Sequence, residues 1–182
     1  MTAPIAIRHA EPEDHAAVQR IFLDPRVVAN TLQIPFPSVE QWRKRFEPSG
    51  DTRMLVAVSG KELVGMCGIH GNANPRRAHA AMIGMAVQGD WHGRGVGTAL
   101  LKEAVSLADN WLHLLRLELR VFTDNLPAIK LYQKFGFVIE GTHVGEALRD
   151  GRFVDGYSMA RLHPHPPRIA TNQTLSESPS PP

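Results

Sequence analysis

His92-Gly93-Arg94-Gly95-Val96-Gly97-Thr98-Ala99-Leu100-Leu101 stands between an apolar run, Ala80 to Val87, and a long amphipathic stretch. A glycine-rich turn from strand to helix leaves backbone N–H groups uncovered by side chains. Those donors sit at the positive end of the helix dipole, so the turn suits an anion, most often a phosphate. Val96, Leu100, Ala104, Leu107 and Trp111 recur at helical spacing, and Leu101, Val105, Ala108 and Leu112 widen the same face. The alternative is a helix that merely opens on glycines. A nucleotide P-loop needs Lys-Ser/Thr after its last glycine, and Thr98-Ala99 follows instead. A dinucleotide fingerprint needs a third glycine where Thr98 or Leu100 stands. What survives is x-x-G-x-G followed by a small residue and two leucines.

A second stretch, Asp124-Asn125-Leu126-Pro127-Ala128-Ile129-Lys130-Leu131-Tyr132-Gln133-Lys134-Phe135-Gly136-Phe137, reads as a short capped helix. Asn125 or its neighbour is the N-cap, Pro127 fits the first turn and Gly136 the C-terminal stop. Ala128, Leu131, Tyr132 and Phe135 form the predicted inward stripe. The two stretches together resemble the Gcn5-related N-acetyltransferase (GNAT) superfamily. The first is similar to its pyrophosphate loop, and the second matches its N-x-x-A-x-x-x-Y-x-x-x-G-F segment. The family usually opens the loop with Gln or Arg; here His92 stands there. Backbone amides make most of the loop's contacts, so that departure is tolerable.

The chain of 182 residues is 43% hydrophobic, enough for one sizeable core and one domain, predicted over residues 1–162. A formal charge of +2 is too small to point to a nucleic-acid partner. No run is apolar and long enough for a membrane partner, and the N-terminus lacks a signal-peptide core. The single cysteine, Cys67, excludes an intrachain disulfide. It lies in the apolar run from Leu63 to Ile69, which predicts a buried, inert thiol and a reducing cytoplasm as the simplest compartment. Nine histidines raise the question of a metal, yet no H-E-x-x-H or paired Cys/His spacing occurs, so none is expected.

Along the chain, Ile5 to His9 reads as a strand and Pro12 to Leu23 as a helix. Residues 24–37 read as a loop with three prolines, and Ser38 caps a second helix with Gln41 at the capping-box position. Met54 to Val58 and Leu63 to Ile69 form a hairpin around Gly60-Lys61. Ala80 to Val87 is the central strand, and Leu117, Leu119 and Val121 mark a strand after the long helix. Phe137 to Leu148 and Phe153 to Leu162 are joined by Asp150-Gly151, a type I′ turn signal. The expected class is α/β (α+β): a GNAT-like mixed, mostly antiparallel sheet of about seven strands, flanked by about four helices. From His163 the apolar pattern stops, and residues 163–182 read as a disordered Pro/Ser-rich tail.

By the resemblance, acetyl-CoA is the co-substrate. Its diphosphate falls to His92, Gly93, Arg94, Gly95, Val96 and Gly97, with Thr98 extending the site into the helix. Its pantetheine arm pairs with backbone groups of Met85, Ala86 and Val87, where one N–H also faces the thioester oxygen; such a donor contributes about 3–4 kcal/mol in comparable sites. Asn125 bonds the arm or is a plain N-cap, and Ala128 follows in the same segment. Tyr132 is the candidate general acid, a phenol that keeps its proton at neutral pH; core tyrosine is the alternative. Many members place a carboxylate on the central strand as base. Ala80-Ala81-Met82-Ile83-Gly84-Met85 carries none, which leaves His70 and His79 as stand-ins or as ordinary surface histidines.

Asn30-Thr31-Leu32-Gln33-Ile34-Pro35-Phe36-Pro37-Ser38, Asp109-Asn110-Trp111-Leu112 and Ala147 to Arg161 look like segments of a bacterial L-amino-acid N-acetyltransferase subgroup. The resemblance covers about residues 5–162. It implies a small-molecule amine partner, the α-amine of an amino acid first. A protein N-terminus, a polyamine, an amine-bearing antibiotic or herbicide, and a non-catalytic acetyl-CoA-binding module stay open. In this fold the loop after the first helix overhangs the acceptor, so Thr31, Leu32 and Gln33 are candidate substrate contacts. Arg149 or Arg152 could meet a substrate carboxylate, or be solvated. A homodimer is common in the family.

Overall fold

The computed structural model describes residues 3–47 and 52–167. Seven strands and five helices follow one another as β1 (Ile5–His9), α1 (His15–Ile21), α2 (Pro25–Val28), α3 (Val39–Arg45), β2 (Thr52–Ser59), β3 (Glu62–Gly71), β4 (Ala80–Val87), α4 (Val96–Asn110), β5 (Arg116–Phe122), α5 (Leu126–Lys134), β6 (Val138–Arg149) and β7 (Arg152–Leu162). Single 3₁₀ turns cover Pro12–Asp14, Pro75–Arg77 and Gly89–Trp91.

All seven strands join one sheet in the order β1-β2-β3-β4-β5-β7-β6. Every pairing is antiparallel except β4 with β5. That parallel ladder is short: Ala80, Ala81 and Met82 face Arg116, Leu117 and Glu118, and pairing stops there. Beyond Met82 the two strands diverge. β4 runs on to Val87 paired only with β3, and β5 runs on to Phe122 paired only with β7. The sheet is therefore split at its centre, and Ile83 to Val87 present an open backbone edge.

Alternation along the strands sends side chains to two cores. One lies under α4 and α5 and contains Leu100, Leu101, Ala104, Ile129, Tyr132 and Phe137, with Cys67 and Ile83 from the sheet. The other lies under α1 to α3, where Val18, Phe22, Trp42, Met66 and Ala86 meet; Phe22 stacks on Trp42 at 4.6 Å between ring centres. The turn at Asp150 and Gly151 has φ of 49° and 76°, the two left-handed residues that a type I′ hairpin demands.

Three expectations need correction. Residues 24–37 are not all loop: Asp24 caps α2 by accepting the Arg26 N–H at 2.9 Å, and Pro25 supplies its first turn. Trp111 is not on the buried stripe of α4 but 80% exposed, because the helix ends at Asn110 and Leu112 N–H turns back to the Leu107 carbonyl. His163 does not open a free tail. Its N–H donates to Leu115 O at 2.9 Å, and its ring meets Asp109 O at 3.3 Å. The rest of that expected tail, from residue 168, lies outside the described residues.

Two interactions close the frame. Arg161, 8% exposed, forms a two-pronged ion pair with Asp109 at 2.8 Å and donates Nε–H to Phe135 O at 3.1 Å. It thus ties β7 to the ends of α4 and α5. At the paired end of β4 and β5, Glu118 receives Arg77 at 2.8 Å and Arg116, which also reaches Glu140.

Candidate active site

The turn 92–97 is held from both sides. His92 N–H donates to Gly89 O at 3.2 Å, and its ring Nε2 bonds the last carbonyl of β4, Val87 O, at 2.9 Å. Arg94 N–H reaches Trp91 O at 3.4 Å, while its guanidinium lies 5.2 Å above the Trp91 ring. His92 and Arg94 therefore do not offer free amides. The N–H groups of Gly93, Gly95, Val96, Gly97 and Thr98 have no partner among the described residues. Four of these five cluster at the start of a 15-residue helix. Gly93 and Gly95 sit at φ of +72° and +83°, and a Cβ on either would meet nothing within 4 Å. The turn thus holds the shape of an anion cradle and faces open space.

Gly97 sets how near the neighbours come. A Cβ there would lie 3.1 Å from Leu131 Cδ2 and 3.5 Å from Met85 Cε, so the first turn of α4 packs against both α5 and β4. Met85 and Val87 face this side of the sheet; Ala86 is turned to the opposite core. All three lie on the stretch of β4 that β5 does not pair, where alternate residues turn their backbone groups to the gap and Val87 O is already held by the His92 ring.

Asn125 caps α5, its side-chain oxygen accepting Ala128 N–H at 3.3 Å. One turn beyond Ala128, Tyr132 is 7% exposed and tilted against Phe137 at 5.8 Å. Its hydroxyl has no hydrogen-bond partner among the described residues, yet it is not sealed from solvent. Burial, with a smaller contribution from the nearby Cys67, pushes the phenol pKa well above its ordinary value. Burial also pushes the Cys67 thiol up to about 12, in keeping with an inert cysteine. The predicted stripe omitted Ile129, which is buried alongside Tyr132.

Thr31, Leu32 and Gln33 follow α2. The Thr31 hydroxyl accepts Gln33 N–H at 3.3 Å, Gln33 Oε1 accepts from Arg45 at 2.9 Å, and Leu32 is exposed. Between this loop and α3 runs an open groove of about 680 Å³, lined by Leu32, Ile34, Phe36 and Trp42, with Lys44 and Arg45 at its basic end. Arg149 is not a solvated hairpin-tip arginine. It donates to Ala29 O at 3.1 Å, pairs with the Asp124 carboxylate and lies over Phe122. One guanidinium thereby joins the start of the 31–33 loop to the residue before Asn125.

A second tie was not foreseen. Arg26 on α2 bridges Asp24 and Asp90 at 2.7 and 2.8 Å, linking the same loop to the turn that precedes His92. Gly89 makes room for this pair, since a Cβ there would fall 2.1 Å from Asp24 Oδ2. Of the two histidines proposed as bases, His79 lies at the paired end of the sheet, its carbonyl accepting Leu115 and Arg116 N–H groups. His70 lies on β3 opposite Met82, beside the start of the open edge.

The sheet is thus split beside a bare helix N-terminus, whose first turn packs on the helix that carries the buried Tyr132. The chain belongs to the acetyltransferase (GNAT) family, which matches residues 16–137 and uses acetyl-CoA. It is 46% identical over 158 residues to the L-amino acid N-acetyltransferase AaaT of Escherichia coli K12, covering 87% of this chain and 98% of that one. A GNAT-family acetyltransferase structure from Streptococcus pneumoniae matches with a TM-score of 0.76 and 29% identity, over 87% of this chain and 99% of that one. The spermidine N-acetyltransferase of Vibrio cholerae, solved with CoA and spermine, shares the fold: TM-score 0.77, 23% identity, 87% and 95% coverage. Among the described residues, no helix is long and apolar enough to cross a membrane, and no cluster of His, Cys, Asp or Glu could hold a metal ion.

Proposed function

We propose that this enzyme moves the acetyl group of acetyl-CoA to the α-amine of a free L-amino acid. The observation that carries the reading is the row of unpartnered N–H groups on Gly93, Gly95, Val96, Gly97 and Thr98, placed beside the open edge of β4. Those groups bind the diphosphate. The backbone of Met85, Ala86 and Val87 receives the pantetheine arm as an added strand would be received, and one N–H there stabilises the charge that builds on the thioester oxygen. Asn125 spends its side-chain oxygen on the helix cap, which leaves its amide NH₂ to bond the arm beside Ala128. His92 serves by fixing the end of β4 to the turn, and Arg94 by stacking on Trp91. Tyr132 gives its proton to the departing thiolate.

Thr31, Leu32 and Gln33 line the acceptor side. One feature favours an amino acid over a polyamine. The groove mixes apolar side chains with Gln33, Ser38 and Gln41, and its charged residues among those described are Lys44 and Arg45, which would repel a polycation and attract a carboxylate. Residues 1–162 act as one catalytic domain, with the chain beyond as a tail outside the chemistry. The reduced, buried Cys67 fits work in the cytoplasm, and a homodimer is the expected assembly. Thiol release from acetyl-CoA across a panel of L-amino acids, polyamines and peptides tests the proposal. Turnover with amino acids is expected, and a panel in which no amino acid is acetylated would contradict it.

A further inference from the structure

An incoming α-amine carries an extra proton at neutral pH, and β4 has no carboxylate to take it. On the face of the sheet shared with α1 to α3, Met66, Gly68 and His70 of β3 lie opposite Ala86, Gly84 and Met82 of β4. The His70 ring folds back along its own strand: a Cβ on Gly68 would lie 2.5 Å from His70 Nε2. Gly84, directly across from Gly68, faces emptiness, for a Cβ there would meet nothing within 4 Å. Gly84 thus floors a hollow, while the His70 ring fills the space over Gly68. The ring edge of His70 borders the hollow.

Nε2 lies over Gly68, and Nδ1 faces β2. Nδ1 lies 3.3 Å from the Thr52 hydroxyl; with Nδ1–H donating to that oxygen, Nε2 keeps its lone pair. Arg45 of α3 is the charged group near enough to act on His70, while Thr52 of β2 and Met82 and Gly84 of β4 carry none. Arg45 stacks 4.6 Å above Trp42, is held by Gln33 Oε1, and has no carboxylate partner among the described residues. Partial burial and then Arg45 lower the His70 pKa from its usual 6.5, so the ring is a neutral acceptor at pH 7.

We propose that His70 and Arg45 read the two charges of an amino-acid acceptor, Nε2 of His70 as general base for the ammonium and Arg45 as anchor for the carboxylate. This rests on the acetyl-transfer reading above. Nε2 takes one proton from the ammonium, and the freed lone pair forms the N–C bond as the C–S bond breaks. Tyr132 protonates the sulfur. The second amine proton restores Tyr132, and the His70 imidazolium releases its proton to solvent, which balances the transfer.

Steady-state rates of the full chain against pH, with saturating acetyl-CoA, test the pair. Wild type should show an acid limb in kcat/KM below pH 6.5. His70→Gln should lose that limb and about 100-fold or more in kcat, with acetyl-CoA affinity unchanged. Arg45→Gln, at an exposed position, should move the limb to higher pH. It should also raise KM about tenfold for an amino acid, and not for the matching amine that lacks the carboxylate. A His70→Gln enzyme with wild-type kcat and limb would overturn the proposal, as would an Arg45→Gln enzyme with unchanged limb and KM. Wild type inactive toward every amino acid would instead overturn the acetyl-transfer reading, and the pair with it.

Discussion

Tyr132 concentrates the chemistry that a single residue can hold. Its ring is packed into the core, so the charged form is penalised and the phenol stays protonated through neutral and mildly alkaline pH. The alkaline side of the rate profile should therefore show no loss from ionisation of this group up to pH 10. Tyr132→Phe keeps the ring packing and removes only the hydroxyl. The expected result is a fall in kcat of about 100-fold with the acetyl-CoA dissociation constant unchanged, read by thiol release and calorimetry. Cys67 is the contrasting case. With its pKa pushed up to about 12 inside the core, it should resist a maleimide at pH 8 in the native enzyme and react on denaturation.

The elements show where local signals suffice. The limits of α5 are legible to within a residue, because Asn125 or its neighbour, Pro127 and Gly136 mark cap, first turn and stop within twelve positions. The hairpin at Asp150-Gly151 was equally plain. α2 was missed because three prolines between residues 24 and 37 suggest loop, although Asp24-Pro25 is itself a helix-start signal. Trp111 was misplaced for the opposite reason: spacing continues past a helix end that backbone bonds to Leu107 decide. In the cradle, Gly95→Ala forces a Cβ onto a residue at φ +83° with free space around it. The strain costs about 1–2 kcal/mol, and the KM for acetyl-CoA should rise several-fold while kcat changes less.

At the scale of the molecule, long-range pairings decide what the elements can do, and these left little trace in the sequence. Seven strands were countable, but that β4 and β5 part after three residue pairs depends on partners 36 positions apart. Arg149 was legible as an arginine at a hairpin tip; its role as a strut between Ala29 and Asp124 depends on elements 120 and 25 positions away. Arg161 is similar. Its pair with Asp109 is partly withdrawn from water, so Arg161→Ala leaves a half-buried carboxylate without its main cation and should cost about 1–3 kcal/mol in chemical denaturation. The proposed capture of the cofactor depends on the bare amides at the start of α4 facing the split sheet. Calorimetric titration of the purified chain with acetyl-CoA addresses that most directly. Saturable heat with one site per chain, weakened by Gly95→Ala, is the predicted result, and the absence of any saturable heat would contradict it.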